Sequence, residues 1–209
     1  TYTGSEPPSL WSLDEAADTV ILARTFSKTF SPGLKIGYGV LPAPLVDPVL
    51  NLKGNHDFGS SHFSQRVLDR VLSLGLYEPH VERLVKTYRG KRDALLTALE
   101  RHLKPFGDSV RWTRPNGGLY IWLTLPEGID TGLEGSFFQR CLEEGMLYVP
   151  GSLAYPDGPG AFPKNQARLS FGVATEPAID EGIRRLSRAL SAEVKTTNST
   201  KEHSAIHAG

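Results

Sequence analysis

The hydrophobic pattern along the chain begins with two short apolar runs, residues 19–24 (TVILAR) and 35–41 (KIGYGVL). Runs of this length read as strands, and their close spacing predicts neighbours in one sheet. The loop between them, Thr25 to Gly33, is rich in Ser, Thr, Pro and Gly. A short helix is predicted over Pro44–Lys53, then a loop over 55–61 (NHDFGSS), then a helix over Phe63–Leu74 with Gly75 as its C-terminal cap. From Glu78 to Leu103 the residues Val81, Leu84, Val85, Tyr88, Leu95, Leu96, Leu99 and Leu103 fall on one stripe of period 3.6, which predicts a long helix joining two sub-structures. Gly90 interrupts that helix at a cost of about 1 kcal/mol relative to Ala.

Beyond residue 103 the periods mix. Val110–Arg114 and Leu119–Leu125 read as strands separated by the turn Pro115–Gly118. Gly135–Glu144 reads as a helix with Phe137, Phe138, Cys141 and Leu142 inward, and Met146–Val149 as a short strand. Pro150 to Gln166 is a long Gly/Pro-rich loop, of a length that often carries function. A strand over Ala167–Phe171 and a helix over Glu176–Leu190, with Ile179, Ile183, Leu186 and Leu190 on one face, complete the pattern. From about Val194 apolar periodicity is lost, which predicts a disordered tail.

Charge narrows the function classes. Twenty-three basic residues balance twenty-three acidic ones. No field of one sign calls for nucleic acid or an anionic membrane, so neither partner is expected for this segment. No apolar run reaches the roughly 18 residues of a spanning helix, and no signal-peptide pattern stands at the start. The single cysteine, Cys141, admits no internal disulfide and suits a reducing compartment, so a cytoplasmic location is expected. His56, His62, His80 and His102 show no metal-ligand spacing, and no metal is expected. Asn198-Ser199-Thr200 matches a glycosylation acceptor without a secretion signal to support it. The start at Thr1, in a polar stretch without Met, reads as the middle of a longer protein.

The chemistry concentrates in Thr25-Phe26-Ser27-Lys28 and Ser31-Pro32-Gly33-Leu34-Lys35-Ile36-Gly37-Tyr38. A lysine stands between small hydroxyl residues in a turn after a strand, and a second cation follows seven residues on, across a Pro-Gly turn. Hydroxyls, turn amides and a cation make a phosphate pocket. A lysine beside it, partly desolvated, can lose its proton and attack a carbonyl. The plain alternative is two solvated surface charges beside a glycine turn; a bare Ser-Lys dipeptide would favour it, and the full spacing tips the balance.

That spacing (hydroxyl, any residue, Ser-Lys, a spacer, Pro-Gly, any residue, a cation, any residue, Gly-Tyr) resembles the active-site lysine region of the class I/II, fold-type-I aminotransferases. The resemblance continues to about residue 190 through PNGGLYIWL (115–123) and RLSFG (168–172). Within the family it is similar to the 2-aminoadipate and aromatic aminotransferases and to the aminotransferase-like domains of MocR-type transcription regulators. It implies an α/β fold built as a C-terminal portion: the end of a large-domain sheet, a long interdomain helix, and an α+β small domain. The implied limits are 1–77 for the remnant of the large, cofactor-binding domain, 78–103 for the helix, 104–192 for the small domain and 193–209 for the tail.

The resemblance also implies roles. Lys28 forms the internal aldimine with pyridoxal 5'-phosphate, and Ser27 and Thr25 hydrogen-bond its phosphate. Lys35 stands where the family has an arginine, and trades a planar two-toothed grip for a flexible point charge. Arg168 binds the substrate α-carboxylate, for which a guanidinium is the matched fork; alone it would read as a surface arginine. Asn116 and Gly117 let the backbone run close to the substrate, or simply form a hairpin turn. Tyr38 lines the pocket or fills the core, core being the default, and Cys141 packs in a core. The implied activity is ping-pong transamination between an amino acid and a 2-oxo acid through a Lys28 aldimine, in a cytoplasmic homodimer with segment 55–61 reaching a neighbour's site. Because the family carries its phosphate loop, ring-stacking aromatic and pyridinium aspartate upstream of the lysine, this chain alone is expected to bind the cofactor weakly. The alternatives are the ligand-sensing domain of a MocR-type regulator, a non-catalytic fragment covered by a partner, and the same cofactor turned to decarboxylation or racemisation.

Overall fold

The computed structural model describes residues 1–2, 6–156 and 162–206, with side chains followed to Thr196. The chain divides into two compact units: Thr1 with residues 3–86, and Tyr2 with residues 87–209.

In the first unit, β1 (Leu22–Thr25) and β2 (Gly37–Val40) form a two-stranded antiparallel ribbon, Leu22 facing Val40 and Thr25 facing Gly37. Gly37 is required by this pairing, since a Cβ there would stand 2.5 Å from the Arg24 carbonyl oxygen. Three helices follow. α1 (Ala43–Asp57) starts behind Pro42 and takes Pro44 in its first turn, where a missing amide costs nothing. It continues through Asn55, His56 and Asp57, where the sequence predicted loop. An ion pair of Lys53 with Asp57 one turn on and a bond from Asn55 Nδ2 to the Asn51 carbonyl (3.0 Å) carry it there, until Phe58 ends it in the left-handed region. α2 (His62–Ser73) begins with Ser61, whose hydroxyl accepts from the Ser64 amide. It closes with Gly75 at φ +65°, and the Gly75 and Leu76 amides donate to Leu72 and Val71.

α3 (Tyr77–His102) gives its first turns to the first unit and the rest to the second. Of its predicted apolar stripe, Leu95 and Leu99 are buried, while Val81, Leu84, Val85 and Tyr88 are only half-buried. A Cβ at Gly90 would meet Glu176 Oε1 at 2.8 Å, the tip of a flexible side chain that can swing aside.

The second unit is a four-stranded antiparallel sheet in the order β3 (Arg111–Trp112), β4 (Tyr120–Thr124), β6 (Gln166–Ser170), β5 (Val149–Pro150). Strand alternation sorts its faces. Ile121, Leu123, Ala167 and Leu169 are buried, while Tyr120, Trp122, Arg168 and Ser170 take the other face. α4 (Ser136–Glu143) and α5 (Glu176–Ile206) contribute Phe137, Phe138, Cys141, Ile179, Ile183, Leu186 and Leu190 to the same core. Leu142, predicted inward, is 44% exposed. It stands about 100° further round the helix than Cys141, past the buried arc. The predicted strand 146–149 shrinks to a pairing at Val149 and Pro150, and the predicted long loop opens with a 3-10 turn over Gly151–Ala154.

The tail expected to be disordered from residue 193 is instead helical through Ile206. Polar contacts hold the first turn of that stretch: buried Glu193 accepts from Arg140 Nε at 2.6 Å and from the Ser136 hydroxyl, and Arg140 also reaches Thr196 at 3.2 Å. Residues 207–209 of that predicted tail, and the Asn198–Thr200 side chains, lie outside the described residues. Among the described residues no helix is long and apolar enough to cross a membrane.

Candidate active site

The candidate lysine sits on a turn that follows β1. The Phe30 and Ser31 amides both donate to the Phe26 carbonyl, at 2.8 and 3.1 Å, and so close the chain around Ser27-Lys28-Thr29. Thr25 organises the entry: its Oγ1 accepts the Ser27 amide at 3.1 Å and stands 3.0 Å from the Ser27 hydroxyl. Two hydroxyls and a turn amide thereby converge within a few ångströms. Lys28 is exposed and its amine makes no hydrogen bond or ion pair among the described residues.

Lys35 lies at the end of the loop that returns from the lysine turn, two residues before β2. It caps the short 3-10 turn Pro32–Leu34 in the left-handed region, φ 53° and ψ 43°, a conformation that costs a residue with a Cβ about 1–2 kcal/mol. The next residue, Ile36, gives its carbonyl to the Phe26 amide at 3.0 Å, so the Lys35 backbone runs beside Thr25-Phe26. The structure thus brings Thr25, Ser27, Lys28 and Lys35 into one corner of the first unit. Tyr38, expected in a core, is 49% exposed; it meets Phe26 at 6.0 Å between ring centroids. β2 has all four residues exposed, so strand alternation gives Tyr38 no buried face to join.

The other three predicted residues belong to the second unit. Arg168 lies at the centre of β6, opposite Trp122 on β4 and Val149 on β5. Its guanidinium stacks 4.4 Å above the Tyr120 ring. Its Nε is buried with no hydrogen-bond partner among the described residues. Buried donors without partners are rare and costly, and an anion set against this guanidinium would satisfy one. Asn116 and Gly117 form the turn that leads into Tyr120, and Gly118 completes it at φ +80°. The turn is pinned: the Tyr2 amide donates to the Asn116 carbonyl at 2.6 Å, the Tyr2 hydroxyl to the Gly118 carbonyl, and buried Arg92 to the Pro115 carbonyl at 3.1 Å. Burial raises the Tyr2 phenol above its ordinary range, against the pull of Arg92 stacked 5.1 Å from its ring.

Tyr2, Tyr120 and Arg92 were not among the predicted site residues. For Tyr120 a signal was present. Alternation in LYIWL sets Tyr120 and Trp122 on one face, and antiparallel pairing with RLS puts an arginine diagonally across from that tyrosine. Tyr2 and Arg92 are long-range partners that no local pattern marks.

These features meet a consistent set of known proteins. Residues 1–186 match the family model described as aminotransferase class I and II. The aromatic-amino-acid aminotransferase 1 of Thermococcus litoralis is 34% identical over 196 residues, 93% of this chain and 44% of that protein. The HTH-type transcriptional regulator TauR of Rhodobacter capsulatus is 35% identical, over 91% of this chain and 37% of its own length. Among solved structures, the α-aminoadipate aminotransferase of Thermus thermophilus, complexed with N-(5'-phosphopyridoxyl)-L-leucine, superposes with a TM-score of 0.83 at 32% identity, over 93% of this chain and 48% of that one. The chain therefore spans less than half the length of the relatives it matches, and its fold is that of the fold-type-I group. From the lysine turn to the arginine strand, the chain belongs to the class I and II aminotransferase family.

Proposed function

We propose that this chain carries the lysine-bearing portion of a pyridoxal-phosphate-dependent aminotransferase, which exchanges amino groups between an amino acid and a 2-oxo acid by a ping-pong route. The observation that carries the reading is the turn at residues 25–31: it presents Lys28, whose amine has no partner among the described residues, next in the chain to two converging hydroxyls, with Lys35 in the loop that leads into β2.

The residues present fit the cofactor. Thr25, Ser27 and the turn amides supply neutral donors for a phosphate, and Lys35 supplies the charge. Its backbone is already bent into place at some cost, while its side chain remains a mobile point charge. When bound, the cofactor would supply an aldehyde carbonyl for an amine to attack and a pyridine ring to take up electrons. Lys28 would be the amine that holds it covalently and, when free, the base that takes and returns the Cα proton. Arg168 holds the substrate carboxylate. Tyr120 beneath it fixes the plane of the guanidinium, so that its two-toothed edge orients Cα before any proton moves. The Asn116–Gly118 turn supplies backbone close to that carboxylate, the tether from Tyr2 keeping it in register. A functional boundary at either end of α3, a homodimer and a cytoplasmic location accompany this reading.

Likeness to the HTH-type regulator TauR favours one second reading, in which the same lysine and arginine sense an amino-acid ligand without turnover. Product formation separates the two. The intact protein, given pyridoxal phosphate, an amino acid and a 2-oxo acid, is expected to release the exchanged pair, and Lys28→Ala to lower the rate by about 10²–10⁴-fold. Binding of the cofactor with no exchange across a panel of amino acids would turn the assignment to the sensor; no binding would overturn both.

A further inference from the structure

The first turn of α3 grips the turn that carries Lys28 at three points, all within the first unit. The Tyr77 hydroxyl donates to Thr29 Oγ1 at 2.8 Å, one residue after the lysine. The Tyr77 ring takes the edge of Phe26 at 5.9 Å between centroids. His80, one helical turn on, meets the Phe30 ring edge-on at 5.8 Å, its Nε2 buried and without a hydrogen-bond partner among the described residues. Phe26 and Phe30 are the residues whose carbonyl and amide close the lysine turn. Tyr77 therefore touches the turn at its opening residue and immediately after Lys28.

From this geometry we infer that Tyr77, acting through Thr29, is a positioning residue for the Lys28 amine. The inference rests on the proposed covalent role of Lys28 and adds to it a residue 49 positions away. An exposed lysine on a five-residue turn samples many directions, and each must be given up when its amine bonds an aldehyde. A hydroxyl fixed against Thr29 removes part of that freedom beforehand. The hydrogen bond is long-range and carries no charge, so its worth lies in holding the backbone on the far side of Lys28 while Phe26 is held on the near side.

The inference separates from a general structural role by comparing two forms of the cofactor. Pyridoxal phosphate condenses with the Lys28 amine, forming a carbon–nitrogen double bond and releasing water. Pyridoxamine phosphate has the same phosphate and ring but an amine in place of the aldehyde, and cannot form that bond. Equilibrium binding of both is measured on the intact protein with Tyr77→Phe, Thr29→Val, the pair combined, and Thr29→Ser. Tyr77→Phe and Thr29→Val each weaken pyridoxal phosphate by about two- to tenfold, the worth of one net hydrogen bond. The double variant is no weaker than either alone, as expected when both changes remove the same interaction. Thr29→Ser, which keeps the hydroxyl, binds as the wild type does, and pyridoxamine phosphate is held equally by all. Equal weakening of both cofactor forms, additive losses, or no loss in Tyr77→Phe would overturn the inference. Lys28→Ala is the separate control on the reading beneath it. If that variant held pyridoxal phosphate as tightly as the wild type, the covalent role of Lys28 would fail, and the positioning role with it.

Discussion

In the second unit, β4, β6, α4 and α5 each turn an apolar face inward, and Leu99, Leu103, Ile121, Leu123, Phe137, Phe171 and Leu186 are fully buried. In the first unit, Pro42 and Leu68 are the only buried residues among those described. The first unit is not poor in apolar side chains: Ile21, Val40, Leu45, Val49, Leu50, Leu52 and Phe58 are all exposed there. The difference is one of layers. A sheet or helix stabilises a fold only when its apolar face meets a second layer. Sheet and helices of the second unit close on one another, whereas the β1–β2 ribbon presents both faces. The lysine turn thus rides on local hydrogen bonds, one long-range bond from Tyr77 and three aromatic contacts, and Arg168 rides on a packed sheet.

The sharpest way to break this contrast is a matched pair of truncations. Leu99→Ala, in the core of the second unit, is expected to cost about 2–5 kcal/mol, and Leu50→Ala, exposed on α1, less than about 0.5 kcal/mol. Urea unfolding measures both, and comparable losses would mean that the first unit has a core of its own.

Glycine exchanges sharpen the comparison at smaller amplitude. A Cβ at Gly135 would stand 2.4 Å from the Asp130 carbonyl oxygen, while one at Gly54 meets nothing within 4 Å. Gly135→Ala should therefore destabilise by more than about 1 kcal/mol, and Gly54→Ala should stabilise α1 by up to about 1 kcal/mol. Thermal unfolding of the two variants gives the signs directly.

Acid should then loosen the second unit through its surface pairs. Hydrogen bonds from Arg188 hold the Glu144 carboxyl below its ordinary range, and those from Arg185 and Arg184 do the same for Glu181. A carboxyl depressed in the folded state adds stability above its unfolded value, and that stability is lost as pH falls through the depressed folded value. Melting temperature should decline below about pH 4.5, near the ordinary glutamate value. In Arg188→Ala the decline should be shallower; an unchanged slope would show that the pair contributes nothing.

The smallest expected effect is a null one. Burial, with help from Glu193 and Glu144, raises the Cys141 thiol to about 12. At neutral pH it should resist alkylation by iodoacetamide until the second unit unfolds. Fast labelling of the native protein would place a breathing motion in the α4–α5 layer.

The sequence was legible where periodicity and burial coincide. The helix stripe at Ile179, Ile183, Leu186 and Leu190, the 110–125 hairpin and the Gly75 cap could all be read because each is a local pattern that its surroundings reinforce. Legibility failed where polar or distant contacts decide. α5 runs on past Leu190 because Glu193 answers Arg140, and nothing in the spacing of either announces the pair. α1 runs on through Asn55–Asp57 because side chains one turn apart bond each other in a segment whose composition suggests a loop. Tyr38 was misplaced because strand alternation says which residues share a face, not whether that face is covered. The site divides the same way. Lys28 and Arg168 stood out as reactive types in a spaced motif, whereas Tyr120 follows from register, and Tyr77 and Tyr2 only from the folded chain.

The central claim is that Lys28 alone among the chain's amines bonds the cofactor aldehyde. The intact protein is incubated with pyridoxal phosphate, reduced with borohydride, digested and mapped by mass spectrometry. A single phosphopyridoxyl adduct on Lys28, one per chain, is the predicted result; an adduct centred on Lys35 or scattered over surface lysines, or none at all, would contradict it.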